Sequence, residues 1–422
     1  MSATDFDYGC EFAPETDNYK LWPREGLFTA LLDGDMLPYI AGYTTDIQDA
    51  NRAYRNAAKQ IGVAAIPESC ANMNPEYFAA LLEQPEFWNK CNQINWLIND
   101  WVKKAGADSA LIYLTRSENN YRNDLAILRP YKGQRKSEKP PFFHELRHYI
   151  ATHHEAIIAD GMEADDLMSI EQNERHRKLC HTKEHFIEIG SAMHKAFSDS
   201  AIVTKDKDLK IVPGWNVDPD TGAKVWHTVL GHLEPKWKDK EIVQYEQWPT
   251  VSGEPTDPAL IAANNLKADT FASGVNKGQI KTKRVKVGTQ VSQYIDKLRG
   301  SGLKFFYSQL LTGDQVDNYQ GIPGLGATKA FELLETATSE EELFYTVRDQ
   351  YKLHYAGGSS EPIVVENYRG GKAKLTAMQL MIEQGRLAHM QTFPNEIWRA
   401  KTHCPSGVDR VWQQGSKTSI SP

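Results

Sequence analysis

The sequence predicts an α/β fold in which a mostly parallel central sheet is flanked by helices. Three observations lead there. Short apolar runs alternate with helical segments along the first half of the chain, the order that strands and crossover helices take in parallel sheets. Three of the four runs read as strands end in closely spaced acids: Asp33/Asp35, Glu163/Asp165/Asp166 and Asp206/Asp208. Ligands of such sheets bind beyond the carboxyl ends of the strands, so these acids are expected on one edge.

Taken in order, residues 1–26 are acidic and without periodicity, and read as an extension that packs through Tyr19 and Trp22. Leu27 to Leu32 is a buried strand ending in Asp33-Gly34-Asp35. Residues 47–60 and 75–104 have helical apolar spacing, the second through Phe78, Leu81, Phe87, Ile94, Leu97 and Trp101. Ala110 to Leu114 is the next strand. A helix over 142–153 leads to the buried strand Ala156 to Ala159, and Gly161 then turns the chain into acids that open a helix near Leu167. Helical sequence to Ala196 precedes the strand Ser200 to Thr204. Residues 217–300 read as an insertion with some structure of its own, since so long a structureless loop is unusual in a compact domain. Helices follow over 303–311, 327–334 and 374–389. The expected domains are an extension (1–26), an α/β core (27–216) with a basic arch at about 117–141, the insertion (217–300), a helix–hairpin–helix element (301–340) and a helical C-terminal region (341–422).

Composition sets limits. The chain of 422 residues has 41% hydrophobic and 24% charged residues, the balance of a globular protein. No run reaches the roughly 20 apolar residues of a membrane helix, and the acidic start is unlike a secretory signal, so a cytoplasmic protein with no membrane partner is expected. The five cysteines (Cys10, Cys70, Cys91, Cys180, Cys404) form no C-x-x-C pair, which favours reduced thiols over a disulfide framework. A net charge of −7 gives no whole-chain sign of nucleic-acid binding, but an acidic metal site and basic phosphate contacts cancel in the sum.

The acids carry the chemistry. A helix N-terminus stabilises a negative charge by only about 0.3–1 kcal/mol, little against three carboxylates in four positions. Such crowding repels unless protons or cations intervene, and hard divalent cations take oxygen ligands. Asp314 and Asp317, spaced i, i+3, add a fourth cluster that shares a face if helical. No histidine or cysteine accompanies the clusters, so Mg2+ or Mn2+ is favoured over zinc. Two such ions about 4 Å apart activate water and stabilise both oxygens of an in-line phosphodiester displacement.

Two further stretches point to a polynucleotide. Gly321-Ile322-Pro323-Gly324-Leu325-Gly326 permits a tight hairpin whose amides can approach a phosphate, with Lys329 in the first turn of the following helix. From Arg122 to Lys139 there are six basic residues against two acids, with Tyr121 and Tyr131 interleaved. Tyr131-Lys132-Gly133-Gln134-Arg135-Lys136 puts an aromatic beside cations, as a site that stacks a base and grips a phosphate needs. Most charge runs are solvated faces, and the basic run over 275–288 is read as one, with a DNA-facing role as the minority alternative.

Together these stretches resemble the 5′-nuclease (flap-endonuclease-like) superfamily, most nearly the exonucleases of short-tailed phages. The resemblance rests on Leu32 to Asp35, Tyr131 to Lys136, Gly161 to Asp166, Thr204 to Leu209 and Thr312 to Gly326, with Gln384 to Ala388 and Trp398-Arg399 after them, in matching order. It implies a helical arch, a helix–turn–helix duplex clamp and a K+ ion at the glycine hairpin. It implies that Asp33, Glu163, Asp165, Asp166, Asp206, Asp208, Asp314 and Asp317 bind two Mg2+ or Mn2+ ions, and that Lys132 and Arg135 are the arch cations. Asp35 matches an acid of the phage branch. The family's aspartate after the second strand is missing, and Glu118 is the candidate to replace it. Arg122, Tyr131, Lys136, Gly321, Gly324, Gly326 and Lys329 are expected on DNA.

The implied function is 5′-to-3′ hydrolysis of DNA by a monomer, leaving 5′-phosphorylated products, in phage replication, recombination or primer removal. The substrates are duplexes with a 5′ end, nick, gap or flap, or RNA–DNA hybrids, in the host cytoplasm if the chain is phage-encoded. The alternatives are a flap endonuclease and a catalytically impaired DNA-end-binding protein on the same fold. A remote rival is a zinc peptidase through His181, Glu184 and His185, which fit H-x-x-E-H but have no evident third ligand.

Overall fold

A computed structural model describes residues 27–62, 73–134, 138–179 and 191–398, the side chains of 117–119 and 179 excepted. Its first part runs β1 (Thr29–Asp33), α1 (Met36–Tyr43), α2 (Ile47–Ile61), α3 (Pro75–Leu82), α4 (Pro85–Ala105), β2 (Ser109–Asn120), α5 (Tyr121–Leu125) and α6 (Phe143–His153). Next come β3 (Ala156–Gly161), α7 (Ala164–Leu179), α8 (Ala192–Phe197), β4 (Ser200–Val203), β5 (Gly214–Val217) and β6 (Lys224–His227). Then follow β7 (His232–Val251), β8 (Glu254–Pro255), α9 (Pro258–Ala263) and β9 (Thr282–Ser301). The chain continues with α10 (Gly302–Thr312), α11 (Ala327–Leu334), α12 (Glu340–Ala356), β10 (Ile363–Glu366), β11 (Lys372–Leu375) and α13 (Ala377–Ala388).

The fold is α/β, on a six-stranded sheet ordered β3-β2-β1-β4-β5-β6. β1 to β5 are parallel and β6 returns antiparallel to β5. β1 lies centrally with all five residues buried. Strand alternation sends Ala30 and Leu32 to one face, in a core with Leu37, Tyr77, Phe87, Ile94 and Leu146, and sends Leu31 to the other, against Met168 of α7.

Several boundaries differ from the sequence reading, for physical reasons. The helix expected over 75–104 is two, because Pro85 lacks an N–H and holds Gln84 extended (φ −81°, ψ 123°). β3 is an edge strand with Ile157 and Ile158 exposed, so the expected buried strand is half open. α7 starts at Ala164, which puts Asp165 and Asp166 in its first turn. In place of a helical arch, the described residues between β2 and α6 hold one short helix, α5, capped by the Asn120 side chain, and then turns.

The chain divides into two compact units, one of the residues up to Glu234 and from Arg299 onward, the other Pro235–Leu298. Because β5 and β6 occupy 214–227, the stretch from 217 to 234 belongs to the first unit. The second unit is a two-stranded ribbon, the distal parts of β7 and β9, with β8 and α9 at its tip.

Candidate functional site

The carboxyl ends of β1 and β4 lie side by side because the two strands pair directly. Thr204, just past β4, ties them together. Its Oγ1 donates to Asp33 Oδ2 at 2.8 Å and accepts from the Asp206 N–H at 2.9 Å. The Asp208 N–H then donates to Asp206 Oδ1 at 2.8 Å, which curls the turn and places three acids at one spot. Burial, then the neighbouring Asp35, pushes the Asp33 carboxyl up to about 7, although the Thr204 hydroxyl acts against the rise. Asp165 is held well above the carboxylate range by burial, then by Asp206 and Asp33. Asp208 is likewise pushed up to about 7 by burial and Asp206, against the pull of Lys207. Acids from β1, α7 and the turn after β4 therefore repel one another in one place.

The remaining acids face cations. Arg122 donates to both oxygens of Asp166, at 2.6 and 2.8 Å, and its other donors reach the carbonyls of Leu387 (3.0 Å) and His389 (2.6 Å). Glu163 accepts from Lys132 Nζ and, at 2.9 Å, from the Tyr131 hydroxyl. Burial raises the Glu163 carboxyl, but Lys132 and Arg122 together bring it below its ordinary value. Tyr131 Oη also lies 3.3 Å from Asp317 Oδ2, and Lys132 Nζ lies 3.8 Å from Asp317 Oδ1. Asp314 pairs with Lys207, and its Oδ1 accepts the Val316 N–H at 2.7 Å. Asp314 and Asp317 stand on a turn closed by paired Asp314–Tyr319 backbone hydrogen bonds (2.8 and 3.1 Å), so the helical face expected for them is absent.

The eight acids expected to bind metal thus form one connected region. Other expected residues are placed differently. Arg122 is fully buried with its donors spent inside the protein, and Tyr131 is buried as a bridge between acids, so neither reaches DNA as expected. Asp35 accepts from the Thr115 N–H at 3.2 Å and from Arg147, a structural tie between α1 and β2. Gly321 is buried: at φ +59°, a Cβ there would lie 2.3 Å from the Gly313 nitrogen, so its freedom serves chain packing. Gly324 and Gly326 are exposed, as is Lys329, which pairs with Glu332 at 3.3 Å. Arg135, Lys136, His181, Glu184 and His185, the Glu118 side chain, and Tyr19 and Trp22 lie outside the described residues.

Sequence reading missed the residues that hold the acids in place. Thr204 links two strands, and Gln309 of α10 donates to Asp208 Oδ1. The signal for Thr204 was its position between strand and acids. Gln309 had none, because its partner is 101 residues away.

The donor set is all carboxylate oxygen, the chemistry hard divalent cations prefer. Among the described residues no group of three acid, histidine or cysteine side chains is spaced to hold an ion as it stands. In this conformation Lys132, Lys207 and Arg122 supply the countercharge.

Fold and site define an α/β protein with an acidic cluster at the carboxyl edge of its parallel strands. No protein-family model matches the chain. No curated protein matches it either. Among solved structures it is similar to the T5 5′-exonuclease with bound zinc ions, at 13% identity and a TM-score of 0.32, over 76% of this chain and 88% of that one. It is also similar to the bacteriophage T5 flap endonuclease in a pseudo-enzyme–product complex with DNA and metal ions, at 12% identity and a TM-score of 0.33, over 85% and 98%. Likeness at that level carries no inference about this chain.

Proposed function

We propose that this protein is a metal-dependent phosphodiesterase that hydrolyses DNA from its 5′ end. One observation carries the reading: Asp33, Asp165, Asp206 and Asp208, from three separated stretches, crowd together, and burial with mutual repulsion raises the carboxyls of Asp33, Asp165 and Asp208 above their ordinary value. A stable fold has no use for such repulsion. Hard divalent cations relieve it.

Asp33, Glu163, Asp165, Asp166, Asp206, Asp208, Asp314 and Asp317 are assigned to hold two Mg2+ or Mn2+ ions. When bound, such ions lower the pKa of water and offset charge on the phosphodiester oxygens. The chain's own groups do the rest. Thr204 and Gln309 fix the orientation of Asp33 and Asp208. Lys132, which pairs with Glu163 and has Asp317 Oδ1 at 3.8 Å, is assigned to face the charge that builds on the phosphate. Arg135 is assigned the same task. Gly324, Gly326 and Lys329 contact backbone phosphates of the duplex, with K+ at the hairpin carbonyls.

The finer reading follows the 5′-nuclease resemblance: 5′-phosphorylated products, a monomeric enzyme, and a role in phage replication, recombination or primer removal. Incubation with duplex, nicked, gapped and flapped DNA labelled at the 5′ end tests it. Mg2+-dependent release of 5′-phosphorylated nucleotides is expected, and EDTA abolishes it. Full hydrolysis by a D206N/D208N variant would falsify the assignment.

A further inference from the structure

The ribbon of the second unit is long, open and basic. Between Pro235 and Leu298 there are ten Lys and Arg against seven Asp and Glu, whereas the whole chain has 48 against 55. The cations are not scattered. From 270 to 295 there is no acid, and Lys277, Lys281, Lys283, Arg284 and Lys286 lie within ten positions, all exposed.

A two-stranded ribbon is marginal without something covering a face. Along 235–251 and 282–298 the buried residues are Thr250 and Ile295 alone, while Trp237, Tyr245, Ile242, Val291 and Tyr294 are exposed. The strands hold each other through paired side chains: Lys238 with Asp296 at 2.9 Å, Gln293 to Asp239 at 3.1 Å and Gln244 to Gln290 at 3.1 Å. Arg284 lies over the Tyr245 ring of the neighbouring strand at 3.8 Å, which fixes its guanidinium against that ring.

Dimensions and charge select the occupant. Paired strands lie about 4.8 Å apart, and a ribbon of that width enters a B-DNA major groove about 12 Å wide. Seventeen residues per strand within the unit reach roughly 55 Å at about 3.3 Å per residue, more than the roughly 34 Å helical turn of the duplex. An acid-free cationic run is complementary to a polyphosphate backbone. We infer that the β7–β9 ribbon is a duplex-DNA-binding arm, with Lys281, Lys283, Arg284 and Lys286 on backbone phosphates. The choice of DNA rests on the proposed substrate of the first unit.

Fluorescence anisotropy of the full chain with a 30-base-pair duplex, in EDTA so that no cleavage occurs, tests it across a salt series. K281Q/K283Q/R284Q/K286Q is expected to lower affinity at least tenfold and to reduce the log–log salt slope by about 3–4, at about 0.9 per phosphate contact. K281R/K283R/R284K/K286R retains both affinity and slope. An equal charge removal on helices of the first unit, R55Q/K59Q/K103Q/K178Q, changes affinity less than twofold. Wild-type affinity and slope in the first variant, an equal loss in the helix variant, or a loss seen only with single strands or RNA overturns the inference. Cleavage is read separately in Mg2+: a wild-type chain that binds duplex but never cuts it sinks the nuclease reading and leaves the arm standing.

Discussion

Two halves of the acidic cluster are built on different principles. Around Glu163, Asp166 and Asp314 every carboxylate meets a cation of the chain: Lys132, Arg122 and Lys207. Around Asp33, Asp165 and Asp206 the carboxylates meet one another, a Thr204 hydroxyl and backbone N–H groups. The first half has its charge neutralised within the chain in this conformation. The second is held by the surrounding structure against its own repulsion, the arrangement expected of a site poised for a ligand of opposite charge.

Substitution in the two halves should therefore give opposite results. The largest effect is expected from D206N/D208N: DNA hydrolysis falls by roughly 10²–10³ or more, on the scale of losing a preorganised electrostatic group, while the urea midpoint holds or rises. A stability loss without an activity loss would reverse the assignment of the halves. R122M attacks the neutralised half. It leaves Asp166 buried without its partner and is expected to cost about 3–5 kcal/mol in urea unfolding, the cost of breaking a buried ion pair from one side.

The pH dependence sharpens the contrast. Asp33 and Asp208 have folded values near 7, above the unfolded 3.8. A raised carboxyl favours the folded state below the unfolded value, and that stability is lost as pH rises from about 4 through about 7. The metal-free protein should thus melt at progressively lower temperature across that window, and saturating Mg2+ should flatten the slope. D33N should make it shallower without metal, leaving the share of Asp208. Calorimetry at several pH values decides, and a flat metal-free profile would remove the case for crowding. The smallest effect is expected from D35N: its ties are to Arg147 and the Thr115 N–H, so about 1–2 kcal/mol of stability is lost while cleavage drops less than tenfold.

Much of this was legible because the informative signals are local. An apolar run followed by acids reads as a strand end whatever lies elsewhere, which is why the positions of Asp33, Glu163 and Asp206 are legible in the sequence. The breaks came where distant residues decide. Arg122 reads as a surface cation in a basic segment, yet it is buried on an aspartate 44 positions away. Tyr131 reads as a stacking ring, yet its hydroxyl joins Glu163 to Asp317. Ile157 and Ile158 read as core, but β3 is the last strand of its sheet. The basic run over 275–288 reads as a solvated face, and its cations are exposed; what sequence does not reveal is that it runs into β9, a strand paired with β7.

By itself, the sequence determined the alternation of strands and helices, the mostly parallel sheet, and which acids end which strand, because hydrophobic periodicity and turn chemistry act over a few neighbouring residues. Only the tertiary structure decided which carboxylates are neutralised by lysine or arginine and which are left to repel. Coulomb forces and desolvation depend on distance in space, and the sequence records only distance along the chain.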